Sequence, residues 1–171
     1  SASFMAGQTF DVYVQAVCGQ DTSFYVGPFN VIMPLTNDTI CGAQMIPVDG
    51  QTYMFNNMGA TFDLAEVSMV PPATGAQTTT GWANQNLEMT TWFKFVAPST
   101  GSVRINCTGM DYNGQMAVYD MSACDVVSSF QMMAANDDDL DGMNQAPNFT
   151  VCGMTPGVEY YMMHDAFDFT P

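Results

Sequence analysis

Apolar and polar residues alternate along most of this chain, and the period of two is that of β-strands rather than helices. In "TFDVYVQAV" (residues 9–17), Phe10, Val12, Val14 and Ala16 fall on one face and Asp11, Tyr13 and Gln15 on the other. "SFYVGPFNVIM" follows a "CGQDT" turn, and its Gly27-Pro28 step predicts a kinked or edge strand, because proline donates nothing to a ladder. "TWFKFVAP" places Trp92, Lys94 and Val96 on one face and Phe93 and Phe95 on the other. "GSVRINC", "GQMAVYDM", "SSFQMMAA", "NFTVCGM" and "VEYYMMHDAF" read in the same way. Turn signals ("DGQ", "STG", "MDYNG", "DLDG", "TPG") punctuate the chain. Only "LAEVSM" hints at a helical turn. Many short strands at this spacing predict an all-β fold, an antiparallel β-sandwich of jelly-roll-like class.

One break divides the pattern. "MPLTND" (residues 33–38) combines a proline with turn formers and reads as a linker. Two strands precede it and a full set follows, so residues 1–34 and 35–171 are expected to form separate units. "AGQTFDVYV" and "PGVEYYMMH" share a local device, a glycine three residues ahead of the aromatic that opens a strand.

Charge changes the picture more than bulk composition does. The 171 residues are 47% hydrophobic, enough for a core, but only 11% are charged, less than half the ordinary share of ~25%. Lys94 and Arg104 are the only basic side chains against 17 acids, giving a net charge of −15. Nothing basic offsets phosphate, which argues against nucleic acid and anionic membranes as partners and favours solubility and cation binding. No apolar run approaches the ~18 residues of a membrane span, and no signal peptide opens this segment.

Five cysteines, Cys18, Cys41, Cys107, Cys124 and Cys152, stand far apart, and with a single histidine they make a zinc site a poor reading. Scattered cysteines in an acidic, lysine-poor chain fit an oxidising, extracellular compartment. Connectivity stays open. The preferred pairing joins Cys107 to Cys124, stapling two strands adjacent in sequence, and Cys41 to Cys152, leaving Cys18 over.

The candidate chemistry centres on "AANDDDLDGMN" (residues 134–144). Asp137, Asp139 and Asp141, with Asp138 between them and Gly142 behind, fit the D-x-D-x-D-G start of a calcium loop. The twelfth position, a glutamate in an EF-hand, is Asn148, so a β-turn calcium loop is the form considered, with Asp120, Asp165 or Asp168 as a distant ligand. A solvated acidic turn is the competing reading. His164 beside Asp165, with Ser128 or Ser129, lacks the G-x-S-x-G context of a hydrolase. No acid pair stands in a distinctive glycosidase context either. Trp82, in the polar "TTTGWANQN" stretch, is the candidate for an exposed sugar-stacking contact, Tyr112 a lesser one, while Trp92 reads as core. Asn37, Asn106 and Asn148 each open an N-x-[ST] triplet.

Two resemblances follow from these residues. "GQTFDVYVQAVCG" with "YVGPFNVIMP" resembles the last two strands of a fibronectin type III domain. "NDTICGAQMIPVDG", "TTWFKFVAPSTGSVRI", "GQMAVYD", "AANDDD" and "TPGVEYYMMHD", in that order, resemble the bacterial pre-peptidase C-terminal (PPC-like) β-sandwich domain. Members often carry further cysteines where this chain has Ala76 and Ala83, so no disulfide is carried over there. The 16 methionines often stand where such strands would take leucine or valine. Such modules occur in large surface proteins of type IX-secreting bacteria, which implies a non-catalytic structural or adhesive role, with an accessory domain of a secreted hydrolase as the alternative. Asp38-Thr39-Ile40 resembles the O-glycan acceptor of such secreted proteins, which makes Thr39 the candidate modification site. Both ends read as cut in mid-element, so the expected partners are adjacent domains or neighbouring copies of the same protein, by strand addition, and glycans.

Overall fold

The alternating segments become strands where the pattern is strongest. A computed structural model describes residues 7–107, 109–141 and 143–167; Thr108, Gly142 and Asp168, used above in a sequon, a loop and a ligand set, lie outside those residues. In chain order the first four strands are β1 (Thr9–Val14), β2 (Val17–Cys18), β3 (Asp21–Thr22) and β4 (Val26–Ile32). β1 pairs antiparallel with β4, and β2 with β3, so residues 9–32 form one long ribbon. Its register slips between Val12 and Val14, opposite the cis Gly27-Pro28 bond, which is the kink that proline foretold.

The rest builds a sandwich. β5 (Gln44–Met45), β6 (Thr91–Val96), β8 (Gly114–Asp120), β9 (Gln131–Asn136) and β11 (Glu159–Ala166) form a five-stranded sheet in the order β5-β6-β11-β8-β9. Only β5 runs parallel to its neighbour. β7 (Val103–Asn106) pairs with β10 (Asn148–Val151) as a smaller, separate sheet. The α1 turn (Leu64–Val67) falls inside "LAEVSM", started by a capping box in which Asp63 accepts from Ala65 and Glu66 nitrogens and Glu66 answers to the Asp63 nitrogen.

The alternation decides which residues fill which core. Phe93, Phe95, Met116, Val118, Tyr160 and Met162 point to the side covered by Ile105, Phe149 and Val151 of the smaller sheet. Trp92, Ala117, Tyr119, Ala135 and Met163 point to the other side, covered by Ile40, Met69 and Trp82 from irregular segments. Burying each large apolar side chain contributes roughly 1.5–3 kcal/mol. β8 and β11 are buried on both faces, as central strands must be.

Trp82 corrects an expectation. It is fully buried, and its Nε1 donates to the Met116 carbonyl at 3.0 Å, so it offers no sugar a stacking face. Its polar neighbours disguised it: a folded-back strap brings the Trp82 nitrogen to the Pro72 carbonyl and the Gly75 nitrogen to the Trp82 carbonyl. Gly81 is required for this fold-back, since a Cβ there would stand 1.9 Å from the Pro72 carbonyl oxygen.

The disulfide is a second correction. Cys41 bonds Cys124, while Cys18, Cys107 and Cys152 are free thiols, so neither Cys107–Cys124 nor Cys41–Cys152 forms. Cys107 packs beside the core under the smaller sheet and Cys124 beside the opposite core, with the five-stranded sheet between them. β7 and β8 are neighbours in sequence but not in a sheet, which removed the basis for stapling them.

The observed bridge closes a span of 83 residues, a length at which restriction of the unfolded chain matters most. Replacing both Cys41 and Cys124 with serine is expected to lower unfolding free energy by about 2–4 kcal/mol in denaturant titration. Replacing Cys18 or Cys152, both exposed, should leave it nearly unchanged.

Candidate functional site

The acidic loop leaves β9 against the strap formed by residues 75–83. Three main-chain or amide contacts lock the two together: the Ala135 nitrogen donates to the Thr79 carbonyl, Asn136 Nδ2 to the Thr78 carbonyl at 2.7 Å, and the Asp138 nitrogen to the Ala76 carbonyl. Asp137 Oδ2 accepts from the Ala83 nitrogen at 2.9 Å, and Asp138 Oδ2 from Gln77 Nε2 at 2.8 Å. Asp139 turns instead to Asn148 Nδ2, and Asp141 to the Met143 nitrogen in an exposed turn.

The expected convergence of alternate aspartates therefore splits. Asp137 and Asp138 belong to the strap contact; Asp139 and Asp141 cap their own loop. No cluster of three or more His, Cys, Asp or Glu side chains suited to a metal occurs among the described residues. Asp137 is nonetheless buried, and both its Oδ1 and that of Asp138 are shielded from solvent with no hydrogen-bond partner. Burial, reinforced by the neighbouring Asp138, pushes the Asp137 carboxyl up to about 6. Asp120, proposed as a distant ligand, sits at the opposite end of β8, paired with Gln131.

Asp165 has another task. Its Oδ1 accepts from the Glu88 and Met89 nitrogens and its Oδ2 from Gln115 Nε2, so it anchors the residues that lead into β6. Burial raises its carboxyl to about 6 against those donors. His164 lies one position earlier on the strand and so projects from the other face. There Thr91 Oγ1 approaches its Nδ1, and the Tyr112 hydroxyl its Nε2, each at 3.2 Å. Ser128 and Ser129 both lie in the 3-10 turn just before β9, at the far end of β8 from His164, so neither joins it in a Ser–His–Asp arrangement. Tyr112 is occupied by His164 rather than presented for stacking.

Thr39 is exposed, has extended backbone and makes no side-chain cap to the 3-10 turn it precedes, so its hydroxyl is accessible. Asn37 is buried, which removes the first N-x-[ST] triplet as an acceptor. No helix among the described residues is long and apolar enough to cross a membrane.

The ribbon supplies the second notable surface. Residues paired across an antiparallel ladder share a face, so Phe10–Val31, Val12–Phe29 and Val14–Val26 form a continuous apolar row. Asp11–Asn30 and Thr9–Ile32 lie on the reverse. Most of the row is exposed, Val14 to 55%, Val26 to 60% and Phe29 to 49%, while Phe10 at its start is half-buried. The alternation marks these strands but not how much of their apolar face stays exposed among the described residues. No protein-family model, curated protein or solved structure matches the chain.

The histidine makes a pH prediction. Burial holds His164 down to about 4, below the ordinary 6.5, so the folded state binds fewer protons than the unfolded state between those values. Its contribution is fully present above pH 6.5 and is lost as pH falls through 4, about 3 kcal/mol in all. Asp137 and Asp165, with raised values, act with the opposite sign in the same window. Subtracting the stability of His164→Gln from wild type at pH 7 and at pH 4 should therefore isolate a difference that shrinks in acid.

Proposed function

We propose that this chain is a non-catalytic, extracellular structural or adhesive module of a surface adhesin or filament, stabilised by calcium. One observation carries the reading: the ribbon of residues 9–32 exposes most of an apolar row, and among the described residues no sheet lies over it. A two-stranded ribbon is marginal alone, and among the described residues neither of its outer edges pairs with a further strand. Its only charged residues are Asp11, on the reverse face, and Asp21, at the tip, so the apolar row is a charge-free surface on a chain of −15. Strands added from a neighbouring copy or an adjacent domain would cover it, as the fibronectin-like and PPC-like resemblances imply.

The Cys41–Cys124 bridge supports an oxidising, extracellular setting. Calcium is supported by the unsatisfied carboxylate oxygens of Asp137 and Asp138 in a chain whose two basic side chains are engaged elsewhere, Lys94 with Glu159 and Arg104 with Asn148. A second reading, an accessory domain that binds the substrate of a secreted hydrolase, is favoured by one feature. This is an open groove of mixed character, lined by Tyr161, Glu159, Asp120 and Gln131 together with Met121 and Val158.

Sedimentation across a concentration series tests the assembly. The wild type is expected to self-associate, and Val12→Asp with Phe29→Asp to remain monomeric with the melting temperature of the sandwich unchanged. A wild type that stays monomeric at its solubility limit removes the filament reading. In material from the native source, intact mass should show a glycan on Thr39; an unmodified threonine would sink that assignment.

A further inference from the structure

β8 and β9 pair Val118 with Ala134, Ala117 with Ala135 and Met116 with Asn136. Continuing that register by one residue sets Asp137 opposite Gln115, and Gln115 is itself paired on its other side with Asp165 of β11. Cross-strand partners share a face, so Gln115 and Asp165 share one, and Asp137, the first residue after β9, continues that row. Directly opposed Cβ atoms stand about 4.5–5.5 Å apart, within bridging distance of a single ion.

The row is polar, buried and incompletely bonded. Gln115 is fully buried; its Nε2 donates to Asp165 Oδ2 at 2.9 Å and to the Asn86 carbonyl at 3.2 Å. Those two bonds orient the amide and turn its Oε1 away from Asp165, and Oε1 has no partner. On the neighbouring strand Asp137 is 1% exposed, with Oδ2 held by the Ala83 nitrogen and Oδ1 without a partner. Asp138 Oδ1 is shielded and unpartnered as well. Asp137 and Gln115 bond Ala83 and Asn86 of the same short segment, and with Asp138 next along the chain each keeps one buried acceptor oxygen that no donor reaches. Unfilled acceptors of this kind cost free energy, and a carboxylate more than an amide. A hard cation with oxygen ligands answers all three at once, because calcium takes carboxylate, amide and main-chain oxygens together.

We propose that a calcium ion sits between Asp137 Oδ1, Asp138 Oδ1 and Gln115 Oε1, clamping the strap of residues 75–83 to the five-stranded sheet. The inference rests on the calcium reading above and relocates the site: Asp139 and Asp141, the other half of the sequence motif, are not ligands. The ion's consequence is local. Asp137 and Asp138 are also the side chains that hold Ala83 and Gln77, so occupancy fixes the strap that carries Trp82 into the core.

Calcium is titrated into the whole chain, chelator-treated beforehand, with binding read by calorimetry and strap protection by hydrogen exchange over residues 75–83. Wild type is expected to bind one ion and to gain protection in the strap. Asp137→Asn should lose about tenfold or more in affinity. It should also melt higher than wild type in chelator, since its amide donates to Gln115 Oε1 where the carboxylate could not. Asp141→Asn should bind as wild type does. If Asp141→Asn loses binding and Asp137→Asn keeps it, calcium stands and the proposed site is overturned. If wild type neither binds calcium nor gains protection, the calcium reading itself falls, and the site with it.

Discussion

A carboxylate buried without a cation governs how the irregular half of this protein meets its sheet. Glu66 is inaccessible to solvent, and three donors converge on it: Trp92 Nε1 at 2.5 Å, Thr90 Oγ1 at 2.8 Å and the Asp63 nitrogen at 2.9 Å. Burial raises its pKa while each of these bonds pulls it back down. Trp92 and Thr90 belong to the approach and body of β6; Asp63 and Glu66 belong to the capped turn that begins α1. The contact therefore ties one wall of the second core to the strand beneath it. Breaking it would leave a charged acceptor stranded, a heavier penalty than the loss of one ordinary hydrogen bond. Met69 and Tyr119 repeat the arrangement nearby, the tyrosine hydroxyl donating to the Met69 carbonyl at 2.6 Å.

With that segment in place, the five-stranded sheet is covered on both faces by different means. A regular two-stranded sheet closes one face, and a chain with little regular structure closes the other. Irregular chain brings unpaired polar groups with it, and side chains satisfy many of them: Asp165 takes two main-chain nitrogens, Asn136 two carbonyls and Asp137 one nitrogen. The abundance of aspartate thus has a structural use besides solubility. The same demand leaves Asp137 and Gln115 each with one oxygen over, which is where structural and binding roles meet.

The ribbon makes a useful contrast with β6. Both alternate, and both carry aromatic and β-branched residues on an apolar face. In β6 that face meets Phe149 and Val151 across a core; in β1 and β4 most of it, Phe10 apart, is exposed. Identical local patterning gives a buried strand in one place and an uncovered one in the other, because alternation specifies a face and not what lies over it.

Strand identity was legible in the residues because period-two alternation and turn chemistry are local. Every strand of the five-stranded sheet except β5, both strands of the smaller sheet and the α1 turn fall in segments that the pattern marked, β9 running one residue past its own. The inward sets of β6 were readable for the same reason. Pairing was not. The union of Cys41 with Cys124, the burial of Trp82 beneath a strap of threonines, and the bond between Gln115 and Asp165 all join residues dozens of positions apart. The acidic run announced a cluster, but alternate spacing could not reveal that two of its aspartates face the strap and two their own turn. By itself the sequence determined periodicity, charge and turns, since these depend on a residue and its few neighbours. Tertiary structure alone decided which faces are covered and which oxygens go unanswered, since those depend on what the rest of the chain brings alongside.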